Sequence, residues 1–276
     1  MAPEGVGSTT TLADGQRLPW LGLGTWQLGS GRETIRPVVH ALQCGYRLID
    51  TAAVYGNEVE VGKALRQSGT AASEVMVTTK LWNDDQGRAT TRGAFERSLQ
   101  ALGTDAVDLY LLHWPVERVR GQSWEVLQEL QAEGLCRSIG VSNYTTAHLE
   151  QLLGGSDVVP AVNQVEFHPF LYQAELLQYC RGHRIQLQGY CPLARASRLS
   201  DPTLVAIGAA HGRSAAQVML RWALQHQVAV IPKASHPRRI EENTAIFDFS
   251  LSGEEMSTLD GLSEGLRCSW DPTSMP

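Results

Sequence analysis

Four ionisable side chains close apolar runs in this sequence. Asp50 ends Tyr-Arg-Leu-Ile-Asp, and Tyr55 follows in Thr-Ala-Ala-Val-Tyr. Lys80 ends Val-Thr-Thr-Lys, and His113 ends Leu-Tyr-Leu-Leu-His. Together they can make a proton donor. A free phenol has a pKa of about 10, too high to release a proton readily at neutral pH. A neighbouring ammonium favours phenolate and lowers that value. Asp50 would hold Lys80 charged and oriented. His113 would hydrogen-bond the oxygen that receives the proton, and so help place a substrate. Each residue alone has an ordinary explanation: a helix cap, a ring under a loop, a snorkelling lysine, a satisfied core histidine. Convergence of all four at one rim is much harder to explain as packing. The sequence has no metal-ligand set, His-Glu-x-x-His helix or Gly-x-Ser-x-Gly nucleophile turn to suggest a competing chemistry.

Convergence requires the right scaffold. Residues 1–8 are expected to form a disordered lead. Residues 12–18 carry an Asp14-Gly15 turn and predict a hairpin. Residues 21–26 read as a first strand, and residues 32–43 as a helix, with Ile35, Val38, Val39 and Leu42 on one face. One grammar then repeats. Strands are predicted at 46–52, 75–81, 107–114, 137–142, 159–167, 185–193 and 228–233. The helices between and after them are predicted at 57–67, 90–102, 123–133, 147–153, 174–181, 202–210 with 215–225, and 238–247. Ser214 with Gln217, and Ser252 with Glu255, read as capping boxes. Strict alternation argues for a parallel sheet. Eight units in one undivided domain over residues 1–276 predict a (β/α)8 barrel with an N-terminal β-hairpin and one or two extra helices. An open doubly wound sheet is the runner-up, and its Gly-x-Gly-x-x-Gly fingerprint is absent. In a barrel, the C-terminal strand ends are where chemistry is done. Asp50, Lys80 and His113 fall there on consecutive strands.

Composition narrows the partners. The 276 residues are 43% hydrophobic and 19% charged, a globular mix. A net charge of −6 argues against nucleic acid or an anionic membrane as the main partner. The five cysteines are scattered and never form Cys-x-x-Cys, which argues against a disulfide framework or a zinc site. They suit a reducing compartment. With no secretory signal pattern and no long apolar run, the expected location is cytoplasmic. Monomer is the default expectation.

The motifs around these residues are similar to those of the aldo-keto reductases, NADPH-dependent carbonyl reductases built on a (β/α)8 barrel. The resemblance is carried by Gly45–Glu58, Thr79-Lys80-Leu81-Trp82, Leu112-His113-Trp114-Pro115, Ile139-Gly140-Val141-Ser142-Asn143 and Ile231-Pro232-Lys233, in the family's order over about residues 12–250. It implies a catalytic tetrad of Asp50, Tyr55, Lys80 and His113, the same four residues. It implies NADPH or NADP+ as cofactor. Thr25 would lie near it, Ser142, Asn143 and Gln164 would hold the nicotinamide amide, and Tyr190 would stack on the ring. Leu193 would also contact the cofactor, and Lys233, Ser235, Arg239, Glu242 and Asn243 would surround the adenosine and its 2′-phosphate. The phosphate site of a barrel commonly uses the loops after strands 7 and 8 and a helix N-terminus. Tyr144, Ala234, Cys191 and Arg195 depart from the family pattern. Arg195 would be either a phosphate ligand or a solvated side chain. Trp26, Trp82 and Trp114 follow strands and would line an aromatic, low-walled substrate pocket, unless they are simply core. Trp270 is late enough in the chain to reach the rim.

The resulting expectation is an oxidoreductase that transfers a hydride from NADPH to an aldehyde or ketone, with Tyr55 as general acid. The alternatives are a catalytically weak nucleotide-sensing barrel and a metal-independent hydrolase or isomerase. The sequence does not name the physiological substrate.

Overall fold

The computed structural model describes residues 5–274. Of the lead expected to be disordered, residues 1–4 lie outside the described residues. Residues 5–8 form a hydrogen-bonded turn. The Ser8 hydroxyl donates to the Gly5 carbonyl at 2.5 Å, and Val6 packs against the core. Strands β1 (Thr9–Thr11) and β2 (Arg17–Pro19) pair antiparallel as the expected hairpin. The Asp14-Gly15 turn makes it possible. Gly15 takes φ +87°, and the Asp14 carboxylate accepts the Gln16 N–H at 3.1 Å.

Eight parallel strands follow: β3 (Leu23–Gly24), β4 (Leu48–Asp50), β5 (Met76–Leu81), β6 (Val107–Leu112), β7 (Cys136–Ser142), β8 (Val162–Glu166), β9 (Gln186–Tyr190) and β10 (Ala229–Val230). They pair in chain order, and the two ends meet. Leu21 bridges Val230 in parallel. The Gly22 N–H donates to the Val230 carbonyl at 2.9 Å, and the Val230 N–H to the Trp20 carbonyl at 2.9 Å. The sheet therefore closes into a (β/α)8 barrel. Close approach at this seam requires glycine. A Cβ on Gly24 would stand 2.7 Å from the Ile231 carbonyl oxygen across the seam, and one on Gly22 3.0 Å from the Ile231 side chain across it and 2.6 Å from Leu48 on the neighbouring β4.

The helices are α1 (Arg32–Gln43), α2 (Glu58–Gln67), α3 (Thr91–Leu102), α4 (Arg120–Ala132), α5 (Thr146–Gly154), α6 (Ala174–Gly182), α7 (Pro202–His211), α8 (Ala215–Gln225), α9 (Pro237–Glu242) and α10 (Gly253–Asp260). Both expected capping boxes form, at Ser214 and Ser252. Several strands are shorter than expected, among them 23–24 within 21–26, 162–166 within 159–167 and 229–230 within 228–233, and two helix boundaries differ by three residues or more. Helix α4 starts three residues early, at Arg120, because the Ser123 hydroxyl donates to the Val119 carbonyl and accepts the Gly87 N–H at 2.8 Å. Helix α9 ends at Glu242, well short of residue 247, in a turn where the Thr244 hydroxyl takes the Glu241 carbonyl.

Aromatic side chains fill the layer between sheet and helices. Phe167 stacks on Trp222 with centroids 4.9 Å apart, and Phe95 meets Tyr110 edge-on at 4.8 Å. Each such pair is worth about 0.5–1.5 kcal/mol beyond its burial. Among the described residues, no helix is long and apolar enough to cross a membrane.

Candidate active site

Register places the first two site residues. Asp50 pairs across β4 and β5 with Thr78, and Lys80 lies two residues beyond Thr78. Side chains two apart share a face, so Asp50 and Lys80 point the same way. They meet as an ion pair at 2.5 Å, with both side chains almost wholly buried. The ammonium has three protons and three partners: Asp50 Oδ1, the Thr51 carbonyl at 2.9 Å and the Tyr55 phenol oxygen at 3.3 Å. The second Asp50 oxygen accepts from Gln164 Nε2 at 2.7 Å. A buried ion pair is tolerable when its remaining hydrogen-bonding groups are matched in this way.

Tyr55 ends a short turn, residues 53–55. Gly56 closes the turn at φ 66°, a conformation that costs a glycine little. The Tyr55 ring meets His113 edge-on at 5.7 Å, and Trp82 packs on His113 at 5.2 Å. His113 Nδ1 is buried with no hydrogen-bond partner among the described residues. The four residues picked from strand ends are thus brought together.

Burial pulls the His113 imidazole well below its usual value, and the Lys80 charge adds to this. The ring is neutral at physiological pH. Burial pushes the Asp50 carboxyl up and the Lys80 ammonium down, and each charge opposes the shift in the other. Tyr55 differs from the sequence expectation. Burial pushes its phenol well above the usual value, and the Asp50 charge pushes it further. The reason is that the Lys80 charge is matched by Asp50 at 2.5 Å. Tyr55, half-buried at the edge of the site, therefore faces a nearly neutral pair. Its proton is held firmly at rest.

A cavity of about 530 Å³ opens above these residues. Its lining includes Tyr55, His113, Trp26, Trp82 and Trp114 together with Ser142, Asn143, Gln164, Tyr190 and Lys233. The residues expected to hold the nicotinamide amide form their own network. Asn143, at φ 65°, donates to the His113 carbonyl and to Ser142 Oγ, and accepts from the Tyr190 phenol at 2.8 Å. Gln164 Nε2 also donates to Gln188 Oε1 at 2.7 Å, so its carbonyl is what it can offer a ligand. Thr25 is buried behind the wall, its hydroxyl on the Asp50 carbonyl at 2.9 Å. Leu193 is half-buried against the core.

The expected phosphate segment is mostly outside. Ser235, Arg239 and Glu242 are exposed, and Asn243 is buried. Arg238, Arg239, Glu241, Glu242 and His236 line a surface cleft, and Lys233 borders both the main cavity and a shallow cleft with Ser235. Helix α9 has only six residues, so positive charge here comes from side chains rather than from a helix end. Glu241 pairs with His40 at 2.9 Å, and Glu242 accepts from Ser214 at 2.5 Å. Neither acid pairs with Arg239. Arg195 is exposed and lies over the Trp26 ring at 4.7 Å.

Sequence reasoning missed three supports. Gln188 sits directly opposite Gln164 in register. Asn57 accepts from the Thr51 hydroxyl and donates to the Thr25 carbonyl, tying β4 to the segment after β3. Glu58 accepts the Thr79 hydroxyl at 2.6 Å. A buried amide inside a strand was a signal available for Gln188 alone. The low wall expected of the pocket is also raised. Trp270 reaches over it, 5.5 Å from Trp114 and 6.2 Å from Trp82.

Residues 20–264 match the model of the aldo/keto reductase family. The chain is 45% identical to a glyoxal reductase of Bacillus subtilis (strain 168), over 99% of both proteins. Among solved structures, an aldo/keto reductase from Brucella melitensis is 45% identical. It superposes with a TM-score of 0.90 over 93% of this chain and 99% of that one. A Bombyx mori aldo-keto reductase in complex with NADP is 33% identical, with a TM-score of 0.90 over 94% of each chain.

Proposed function

The chain belongs to the aldo/keto reductase family, and from that premise we propose that it reduces aldehydes or ketones with NADPH, Tyr55 serving as the general acid. The observation that carries this reading is the buried Asp50–Lys80–Tyr55 chain of hydrogen bonds ending at a cavity. NADPH, when bound, supplies the hydride. The residues present suit it. Asn143, Ser142 and Gln164 turn acceptor oxygens toward a carboxamide NH2, since their own donors are engaged with one another and with Asp50, His113 and Gln188. Tyr190 offers a ring, and Lys233 and Arg239 offer charge to phosphate.

The protein's part is to hold and release one proton. Burial keeps Tyr55 protonated until a stronger base appears. A developing alkoxide is such a base. As the phenol proton leaves, Lys80 at 3.3 Å stabilises the phenolate left behind. Asp50 keeps Lys80 charged and aimed. The neutral His113 ring offers an N–H to the substrate oxygen, which positions the carbonyl. The same groups run the reverse reaction on alcohols. Loss of NADPH absorbance on adding reactive aldehydes tests the proposal. Tight NADPH binding without turnover of any carbonyl would leave a nucleotide-sensing barrel instead.

The pKa shifts set a pH expectation. With His113 already neutral and Tyr55 still protonated, neither group should put a limb on kcat/KM for reduction between about pH 6.5 and 9. A clear limb in that range which disappears in His113→Asn would show that the imidazole titrates there. The depressed His113 value also bears on stability. The unfolded chain takes up that proton first, so the contribution is full above about pH 6.5 and is lost as the pH falls through the folded value.

Cofactor choice is proposed to lie with Lys233 and Arg239. A guanidinium suits a phosphate monoester through paired donors. Arg239→Ala should weaken NADPH by about 1.5–3 kcal/mol, the scale of a hydrogen bond to a charged group. NADH, which lacks the 2′-phosphate, should hardly change. Titration of both cofactors checks this, and equal losses would remove Arg239 from the role.

A further inference from the structure

The C-terminal segment lines the cavity with residues 267–270, and one buried carboxylate holds it there. Glu166 closes β8 and is 1% exposed. Its Oε1 accepts the Cys268 N–H at 2.6 Å, and its Oε2 accepts the Ser269 N–H at 3.0 Å. His168 Nε2 lies 3.2 Å from Oε1, with no side-chain surface exposed on either residue. Burial alone would push this carboxyl up. The hydrogen bonds from His168 and the two amides outweigh it and hold Glu166 below its usual value. Trp270 comes next in the chain. Its ring lies against Trp114 and Trp82, yet it is 60% exposed. Burial therefore does little to fix its place, and the backbone just before it does.

We infer that Glu166 is a specificity-determining positioning residue, which fixes Trp270 as a wall of the substrate pocket by binding the Cys268 and Ser269 amides. The inference rests on reading the cavity as a carbonyl-reducing site. An ionised carboxylate suits the task because both its oxygens are acceptors facing N–H donors. A glutamine has the same shape but turns an NH2 toward one of those donors. An aromatic aldehyde at Tyr55 and His113 would sit among Trp82, Trp114 and Trp270. A three-carbon dicarbonyl has no ring to set against Trp270.

The test compares Glu166→Gln, Glu166→Asp and Trp270→Ala in the full chain. Hydrogen exchange of the Cys268 and Ser269 amides is read by mass spectrometry, and kcat/KM is measured for benzaldehyde and methylglyoxal. Glu166→Gln should speed exchange at the two amides at least about tenfold and lower the benzaldehyde-to-methylglyoxal ratio about three- to tenfold, the worth of one aromatic contact. Glu166→Asp, with charge kept but reach shortened, should fall between. Trp270→Ala should shift the ratio in the same way with both amides still protected. A general loss of stability would lower both substrates alike and leave the ratio unmoved. Unchanged exchange in Glu166→Gln overturns the anchor. Faster exchange with an unchanged ratio overturns the specificity role. A wild-type chain that reduces neither substrate defeats the reading of the site and the specificity role with it, and the exchange result still decides the anchor.

Discussion

Tyr55→Phe should lower kcat/KM for carbonyl reduction by about 10²–10⁴-fold, the range of general acid–base catalysis, while NADPH binding and the fold persist. The change removes one oxygen. That oxygen accepts the third Lys80 proton at 3.3 Å and has no other partner that the substitution strands. The ring contacts with His113 remain. Lost activity then reports the proton and not the scaffold. Steady-state kinetics with a cofactor titration on the same sample decide it. A phenylalanine variant with near wild-type kcat would remove Tyr55 from the acid role and leave His113 as the donor to examine.

Lys80→Met should nearly abolish reduction and also destabilise the fold, by about 3–5 kcal/mol, the cost of breaking a buried ion pair from one side. Asp50 would keep its burial and its Gln164 bond and lose the charge that opposes burial. Its carboxyl value, already raised by burial, would rise further. The sign follows from proton linkage. A carboxyl that binds its proton more tightly when folded favours folding in acid, and that advantage is lost as the pH rises. Denaturant melts of Lys80→Met should therefore show the smallest deficit at low pH. Adding Asp50→Asn removes the stranded charge. The double variant should regain most of the stability and none of the activity. A double variant as unstable as the single one would show that the methionine, and not the bare carboxylate, does the damage.

The strand ends were readable because two simple regularities coincide there. Apolar runs of strand length stop at Asp50, Lys80 and His113, and parallel pairing in chain order puts such stops at one end of the barrel. What the sequence hid was the sign of the Tyr55 shift. A lysine near a tyrosine suggests a lowered phenol, but that holds only if the charge is unmatched. The 2.5 Å contact to Asp50 and the burial of that pair are tertiary facts. The helix after the last strand was overextended for a similar reason, since nothing local in Asn243-Thr244-Ala245 announces the turn. Glu166 escaped notice because its partners are main-chain amides more than a hundred residues on. Any residue types at those two positions, proline excepted, would offer the same N–H groups, so no side-chain pattern marks them.

The two-residue strands β3 and β10 meet at the seam, whereas β5 and β6 have six residues each. The barrel is thus a hoop with a thin splice. Gly24 and Trp26 on one side of that splice and Ile231 and Lys233 on the other all line the main cavity. Anything held by both sides bridges the join. Occupancy and closure of the hoop are then thermodynamically linked. A guest that binds better to the spliced ring tightens the splice, and a tighter splice raises the guest's affinity by the same factor.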